Sequence, residues 1–339
     1  MLSLQYTLKV SLLAFRTTYT PLSALIKLAI ISVIAYLLYI QLSEGKGIEA
    51  IKALFQGNIR NLNLLYLIIT IALMPLNWWL EGIKFKKLMS PHQQISYKGA
   101  LSAVLAGIAA GIVTPGRIGE YAGRVFTSDP EHKTEVISAT LLGSIAQNVC
   151  NIICGLLFSY FFLKSAIGVT YDNTYAFVVM ITIQIVLLIG MYYHLPELAH
   201  KIEKIVGGRL TDKISSRLKS LDLYNNSLLN VVLGISVLRY IVYFSQYFCI
   251  MKFFGIGNSF LNLSGNISGI YMIQTGIPLP AFLSVMARGE LAVLVWSGSG
   301  IDSMTALAAT FSLWFINLII PTAVGLIVLL RSDIEKYFK

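Results

Sequence analysis

The 339-residue sequence predicts an all-α polytopic integral membrane protein of about six full spans plus two broken or re-entrant helical hairpins. Three observations predict it. First, 56% of the residues are hydrophobic and only 12% are charged, whereas soluble domains carry roughly a quarter charged residues. Second, apolar runs recur at about 20 residues, the length an α-helix needs to cross hydrocarbon, whereas barrel strands would be about ten residues of strict alternation. Third, each half of the chain contains one apolar stretch broken by proline and glycine.

Residues 1–20, with Lys9 and Arg16, read as an amphipathic lead-in without a signal-peptide pattern, so the first apolar segment is expected to be retained. The first span covers 22–42, with Lys27 near its start, where it can snorkel. A mixed-charge connection, 43–60, precedes a second span at 61–80. That span ends in Trp78 and Trp79, which suit an interface, followed by Lys84, Lys86 and Lys87, which suit the cytoplasm. The next stretch, SYKGALSAVLAGIAAGIVTPG, is short and rich in small residues, and it stops at Thr114-Pro115-Gly116. Long segments follow at 134–163 and 174–193, then a basic loop at 194–226 and a fifth span at 227–254. A second broken stretch, 255–302, contains Gly276, Pro278 and Pro280, and a last span, 303–330, carries Pro321 inside it.

The charge distribution orients these elements. Segments 81–98, 194–226 and the C-terminus are the most basic and are expected to be cytoplasmic, while 164–173 is expected outside. Both hold only if 96–126 returns to the side it came from, and likewise 255–302. Two oppositely oriented halves of one transmembrane domain (1–339), 1–163 and 174–339, then each hold two spans, a broken hairpin and a further span. Interrupted segments at matching places in two inverted halves point to a transport site near mid-membrane. The net charge of +10 fits positive-inside loops and anionic lipid headgroups, and no soluble basic domain is present to hold nucleic acid. Cys150, Cys154 and Cys249 lie in apolar runs and the four histidines form no ligand spacing, so neither a metal nor a cofactor is expected. The sequence does not define an oligomeric state.

The chemistry concentrates in TPGRIGEYAGR, Thr114 to Arg124. Pro115 can open a helix, since its missing N–H costs nothing in the first turn. Arg117, Glu120 and Arg124 then share a face, at i, i+3 and i+7. Gly119 and Gly123 form a GxxxG pair on another face, and Gly107 and Gly111 form one on the preceding arm, so the two arms are expected to pack closely. Two arginines against one glutamate, with a helix N-terminus, suit an anion such as a lipid phosphate. The bland alternative is that these arginines snorkel from a cytoplasmic loop with Glu120 as a local partner. In the second broken stretch Arg288 and Glu290 stand at i, i+2 and do not face each other, which leaves Glu120 with Arg288 as a candidate cross-repeat pair. Arg239, with Tyr243 and Gln246 at i+4 and i+7, lays a polar stripe along the fifth span, and Asn77, Gln147, Asn148, Gln274 and Asn317 also fall within apolar runs. Glu120 and Glu290 are candidates for carrying coupling protons.

The segment LNWWLEGIKFKKL, followed about thirty residues on by TPGRIGEYAGR, resembles the flippase-like transmembrane family named after lysylphosphatidylglycerol synthase. The resemblance rests on an N-x-W…K pattern at Asn77, Trp79 and Lys84, then a P-G-x-x-G-E…R pattern at Pro115, Gly116, Gly119, Glu120 and Arg124. Late in the family a P-P-G-G…E motif is usual. Pro278, Pro280 and Glu290 match it here, but Ala281-Phe282 stands where glycines would be. The resemblance implies an integral membrane protein related to the lipid-translocating part of those synthases; the expected location is a bacterial or archaeal cytoplasmic membrane, and the lysine/arginine asymmetry puts both termini in the cytoplasm. Aminoacyl transfer is not implied, since only residues 331–339 are expected to follow the last span.

The leading expectation is a flippase or transporter for a phosphate-bearing or modified lipid, with anionic membrane lipids as partners. Arg117, Arg124, Arg239 and Arg288 would contact the phosphate. The sequence has no Walker A motif for ATP. The alternatives are a membrane-embedded transferase acting on lipid headgroups or lipid-linked sugars, against which no catalytic constellation is found, and an accessory membrane subunit without turnover.

Overall fold

A computed structural model describes residues 56–57, 63–112, 114, 118–164, 174–198, 201, 221–257, 259–276 and 281–331. All of them belong to one of the chain's two units, Ile51–Lys339. The lead-in, the first span, the 43–55 connection, most of the 194–226 loop and the C-terminal tail lie outside the described residues.

The described chain is helical, and no strand occurs in it. Helix α1 spans Leu64–Met89. A hairpin follows, α2 at Tyr97–Ile112 and α3 at Gly119–Phe126. A 3-10 turn at Pro130–His132 leads into α4, Lys133–Leu157, and a short α5, Ser159–Phe162. Helix α6 is Thr174–Tyr193 and α7 is Asn226–Phe253. The second hairpin is α8, Phe260–Gly276, and α9, Ala281–Ser297. Helix α10, Ser303–Trp314, continues through a π-turn at Phe315–Ile319 into α11, Ile320–Arg331. Among the described residues five helical segments are long and apolar enough to cross a membrane: Leu64–Met89, Pro130–Leu157, Thr174–Tyr193, Asn226–Phe253 and Ser303–Leu329. They match the second to sixth spans expected from the sequence.

Local chemistry explains the boundaries. The Asn225 side chain accepts from the Leu228 N–H at 2.9 Å and starts α7. Asp302 does the same for α10, accepting from the Met304 and Thr305 N–H groups, and so satisfies donors that the first turn leaves free. Pro321 cannot donate to the carbonyl four residues back and its ring crowds that turn, which accounts for the wide π-turn just before it. In α1 the sequence expected an end near residue 80, with the lysines released to the cytoplasm. Instead the helix runs on to Met89, and Lys84 is buried. The reason is Glu81, three residues earlier on the same face, which pairs with it.

Packing follows the small residues. A Cβ on Gly119 would lie 2.1 Å from the Ala110 carbonyl oxygen, and one on Gly123 would lie 2.4 Å from that of Ala106. These distances admit no side chain, so α3 lies directly on the backbone of α2, as the paired GxxxG spacing predicts. Helix α11 reaches α2 in the same way, through Gly325 against the Leu105 carbonyl. On the other side of the molecule α8 meets α4 through Gly155 against Met272, and meets α5 through Gly265 and Gly269 against Phe161 and Phe162. Helices α1 and α7 run antiparallel through the middle. Gln246 Nε2 donates to the Thr70 carbonyl at 2.9 Å, and further along Arg239 Nε donates to Asn77 Oδ1 at 2.8 Å.

Two apolar clusters flank this central pair. One joins α7, α8, α9 and α10 around Tyr247, Ile267, Trp296 and Leu313. The other joins α1, α2, α4, α6 and α7 around Phe85, Val104, Leu142 and Leu229. Helix α6 buries only Phe177 and Tyr192. Its remaining apolar surface is open, as lipid contact requires of a helix apolar on all sides.

Candidate functional site

The chemistry of the molecule lies where α3, α1 and α7 meet. On α1, Asn77, Glu81 and Lys84 stand at i, i+4 and i+7 and so share a face. Glu81 is the hub. Its Oε2 lies 2.7 Å from Lys84 Nζ and 3.0 Å from Arg239 Nη1, and its Oε1 accepts from Arg124 Nη2 at 3.0 Å. One carboxylate therefore faces three cations from three helices. Arg124 Nη2 also donates to Glu120 Oε1 at 2.6 Å, one turn back on α3. The Arg124 guanidinium carbon sits 5.0 Å from the centre of the Phe85 ring, close enough for cation–π attraction. Its Nε is buried with no hydrogen-bond partner among the described residues.

The network continues past Arg239. Besides Asn77, Arg239 donates from Nη1 to Gln147 Oε1 on α4 at 3.2 Å. Gln147 Nε2 donates to the Tyr243 hydroxyl at 3.0 Å and to the Ser236 carbonyl at 3.2 Å. The Tyr243 hydroxyl donates to Asn151 Oδ1. Asn151 Nδ2 donates to Thr275 Oγ1, in the last turn of α8, at 2.9 Å. An unbroken polar path thus runs from the arm of the first hairpin, through α1, α7 and α4, to the end of the first arm of the second. Beside it the Tyr243 and Tyr271 rings meet edge to face, 4.7 Å between centres, and the Tyr271 hydroxyl donates to the Tyr243 carbonyl at 3.1 Å.

Three cations, Lys84, Arg124 and Arg239, meet two carboxylates, Glu81 and Glu120. Among the described residues this buried cluster therefore carries one surplus positive charge. Ionisable groups in such a setting are expensive unless paired, and an unbalanced one calls for an anion from elsewhere. The cluster holds no nucleophile with a base, and among the described residues no group of histidine, cysteine and carboxylate side chains could hold a metal ion. It is equipped to bind and orient an anion.

Several residues singled out in the sequence meet here: Arg124, Glu120, Arg239, Asn77, Lys84 and Tyr243. Gly119 and Gly123 place the arm that carries the first two. Gln246 stands apart, fully buried and bonded to the α1 backbone. On α9, Glu290 is exposed and Arg288 is half-buried within electrostatic reach of Tyr271. Pro115, Gly116, Arg117, Pro278 and Pro280 lie outside the described residues. Glu81, Asn151 and Thr275 also belong to the network, although the sequence does not single them out. Glu81 carried a usable signal: it lies inside LNWWLEGIKFKKL, one turn after Asn77 and one before Lys84. Asn151 and Thr275 carried none, because nothing local says that α4 and α8 touch.

Residues 24–325 match the family model described as Lysylphosphatidylglycerol synthase TM region. No curated protein matches the chain.

Proposed function

The chain belongs to the lysylphosphatidylglycerol synthase transmembrane-region family, whose membrane proteins are linked to lipid metabolism or transport, and from that premise we propose that it moves a phosphate-bearing lipid between membrane leaflets. The observation that carries the proposal is the buried cluster of Glu81, Lys84, Glu120, Arg124 and Arg239, with its surplus positive charge. A membrane supplies anions mainly as lipid phosphates, and arginine matches their geometry. The headgroup would be bound and released without covalent change. Movement is downhill, or driven by an ion gradient or the membrane potential.

The proposed architecture is an inverted-topology repeat, with a hairpin from each half entering the membrane. The packing supports it by exchange between halves. The first hairpin rests on α11, the last span of the second half, while α8 of the second hairpin rests on α4, the last span of the first. Helices α1 and α7, equivalent in the two halves, pair antiparallel at the centre. The site is then shared by both halves, the arrangement expected of alternating access around a fixed binding point. In this reading both termini and the 194–226 loop are cytoplasmic, in a bacterial or archaeal membrane.

The test is reconstitution of the purified chain in liposomes with labelled phosphatidylglycerol, phosphatidylethanolamine and phosphatidylcholine, scored by accessibility of the label to an external quencher. Movement of the anionic lipid, chemically unchanged, is the expected result. A new covalent product, or label distribution equal to that of empty liposomes, would overturn the proposal.

A further inference from the structure

We propose that Glu81 is a resident anion holding the place of a lipid phosphate, and that Arg239 is the cation passed from Glu81 to the incoming headgroup. This rests on the transport reading and names the step by which that site takes its ligand.

The geometry distinguishes Arg239 from the other two cations. The side chains of Lys84 and Arg124 are 2% and 3% exposed, and that of Arg239 is 24% exposed. An anion arriving from lipid or from a polar cavity meets Arg239 first. Its Nε and Nη1 are held by Asn77 and Gln147. Those two amides belong to α1 and α4 and do not depend on Glu81. They keep the guanidinium in place while its counter-anion changes.

Glu81 is equally prepared to lose Arg239. Its Oε2 retains Lys84 at 2.7 Å and its Oε1 retains Arg124 at 3.0 Å. Neither exchange partner is left bare, which avoids the large cost of an unpaired buried charge. The charge count closes as well. Three cations against two carboxylates become three against three when one monoanionic phosphate enters. The carboxylate that faces Arg239 is Glu81, whereas Glu120 pairs with Arg124. That difference separates an exchange from simple attraction to a positive region.

The experiment places parental protein, Glu81→Gln, Glu81→Asp, Glu120→Gln and Arg239→Gln in phosphatidylcholine nanodiscs. Added phosphatidylglycerol is titrated and read as protection against thermal unfolding. Inorganic phosphate is titrated in parallel. Removing the competitor is expected to tighten phosphatidylglycerol binding by about tenfold or more for Glu81→Gln, the scale of one charged hydrogen bond. Glu81→Asp, which withdraws the carboxylate by one methylene, should tighten it by a smaller factor, and it serves as the reading if the glutamine variant does not fold. Arg239→Gln should weaken binding about tenfold or more. Glu120→Gln removes the same charge and should change binding far less than Glu81→Gln. Equal tightening by the two glutamine variants, or no tightening by either Glu81 variant, overturns the exchange. Protection by inorganic phosphate equal to that by phosphatidylglycerol overturns the lipid as its source. Should the parental chain translocate lipid while the Glu81 variants bind as it does, the exchange fails and transport stands. Should the Glu81 variants bind tighter while parental liposomes show no movement, transport fails and the exchange stands.

Discussion

At the scale of the residue, the cluster around Glu81 shows why buried charges are held in networks. Arg124 is nearly sealed from solvent and is fixed by two carboxylates from different elements, Glu120 on its own helix and Glu81 on α1. Its loss would remove the 2.6 Å pair with Glu120 and one of the three cations that face Glu81 in the protein interior. Removing one partner of a buried pair typically costs about 3–5 kcal/mol. Arg124→Gln is therefore expected to lower the thermal midpoint in detergent well below that of an exposed charge change such as Lys87→Gln, read by the loss of monodisperse protein in size-exclusion after heating. Arg124→Lys keeps the charge but not the planar guanidinium that lies over the Phe85 ring, and should fall between the two. If Arg124→Gln melts with the parental chain, the Glu81 and Glu120 contacts contribute nothing to the fold, and the arginine is a snorkelling loop charge. The sequence revealed Arg124 and Glu120 because charges beside an apolar run stand out. Glu81 was hidden by its neighbours: next to two tryptophans and before three lysines, it read as part of an interface.

At the scale of the element, the first hairpin exists because glycine is where backbone must touch backbone. Gly123 rests against the Ala106 carbonyl, and Arg124 follows it in the chain. The close approach thus sets the depth at which the guanidinium reaches Glu81. Gly123→Val would place a branched side chain where even a Cβ stands 2.4 Å from an oxygen, so the arms must separate by more than an ångström. That shift is large against a 3.0 Å ion pair. The variant is expected to lose stability and transport together, whereas Gly99→Ala, whose nearest neighbour is the Ser96 hydroxyl at 3.3 Å, should be tolerated. Transport at the parental rate by Gly123→Val would show that the arm need not be close. The four glycines at positions 107, 111, 119 and 123 were readable in advance, because GxxxG is a local pattern with a geometric meaning. The π-turn before Pro321 was readable only as an interruption. The extension of α1 to Met89 was not, since lysines after tryptophans mimic a span that has ended.

At the scale of the whole molecule, the two halves hold each other through exchanged elements, and that exchange can be trapped. Gly325 on α11 lies where a Cβ would come 2.9 Å from Ala109 Cβ on α2, and Gly155 on α4 lies where one would come 2.4 Å from Met272 Cβ on α8. The sequence could not show these pairings, because each joins segments more than a hundred residues apart. It could show only that two broken stretches occupy matching places in two halves. In a cysteine-free background, Gly155→Cys with Met272→Cys comes within the reach of a disulfide after a shift of about 1 Å, since the atoms nearest Gly155 belong to the Met272 side chain that the substitution shortens. Gly325, whose Cβ would stand 2.0 Å from the Leu105 carbonyl oxygen, admits no cysteine. The pair should cross-link on mild oxidation, visible as a mobility change after cleavage between the halves at an engineered protease site in 201–220. If the hairpins and last spans move as rigid partners across the site, cross-linked protein should still bind phosphatidylglycerol. If one half must slide against the other for the lipid to pass, the cross-link should stop translocation, and reduction should restore it. Rocking of the two halves about the α1–α7 pair requires the second result. Full translocation by the cross-linked chain would mean that the lipid passes without relative movement of the halves, and would remove alternating access as the mechanism.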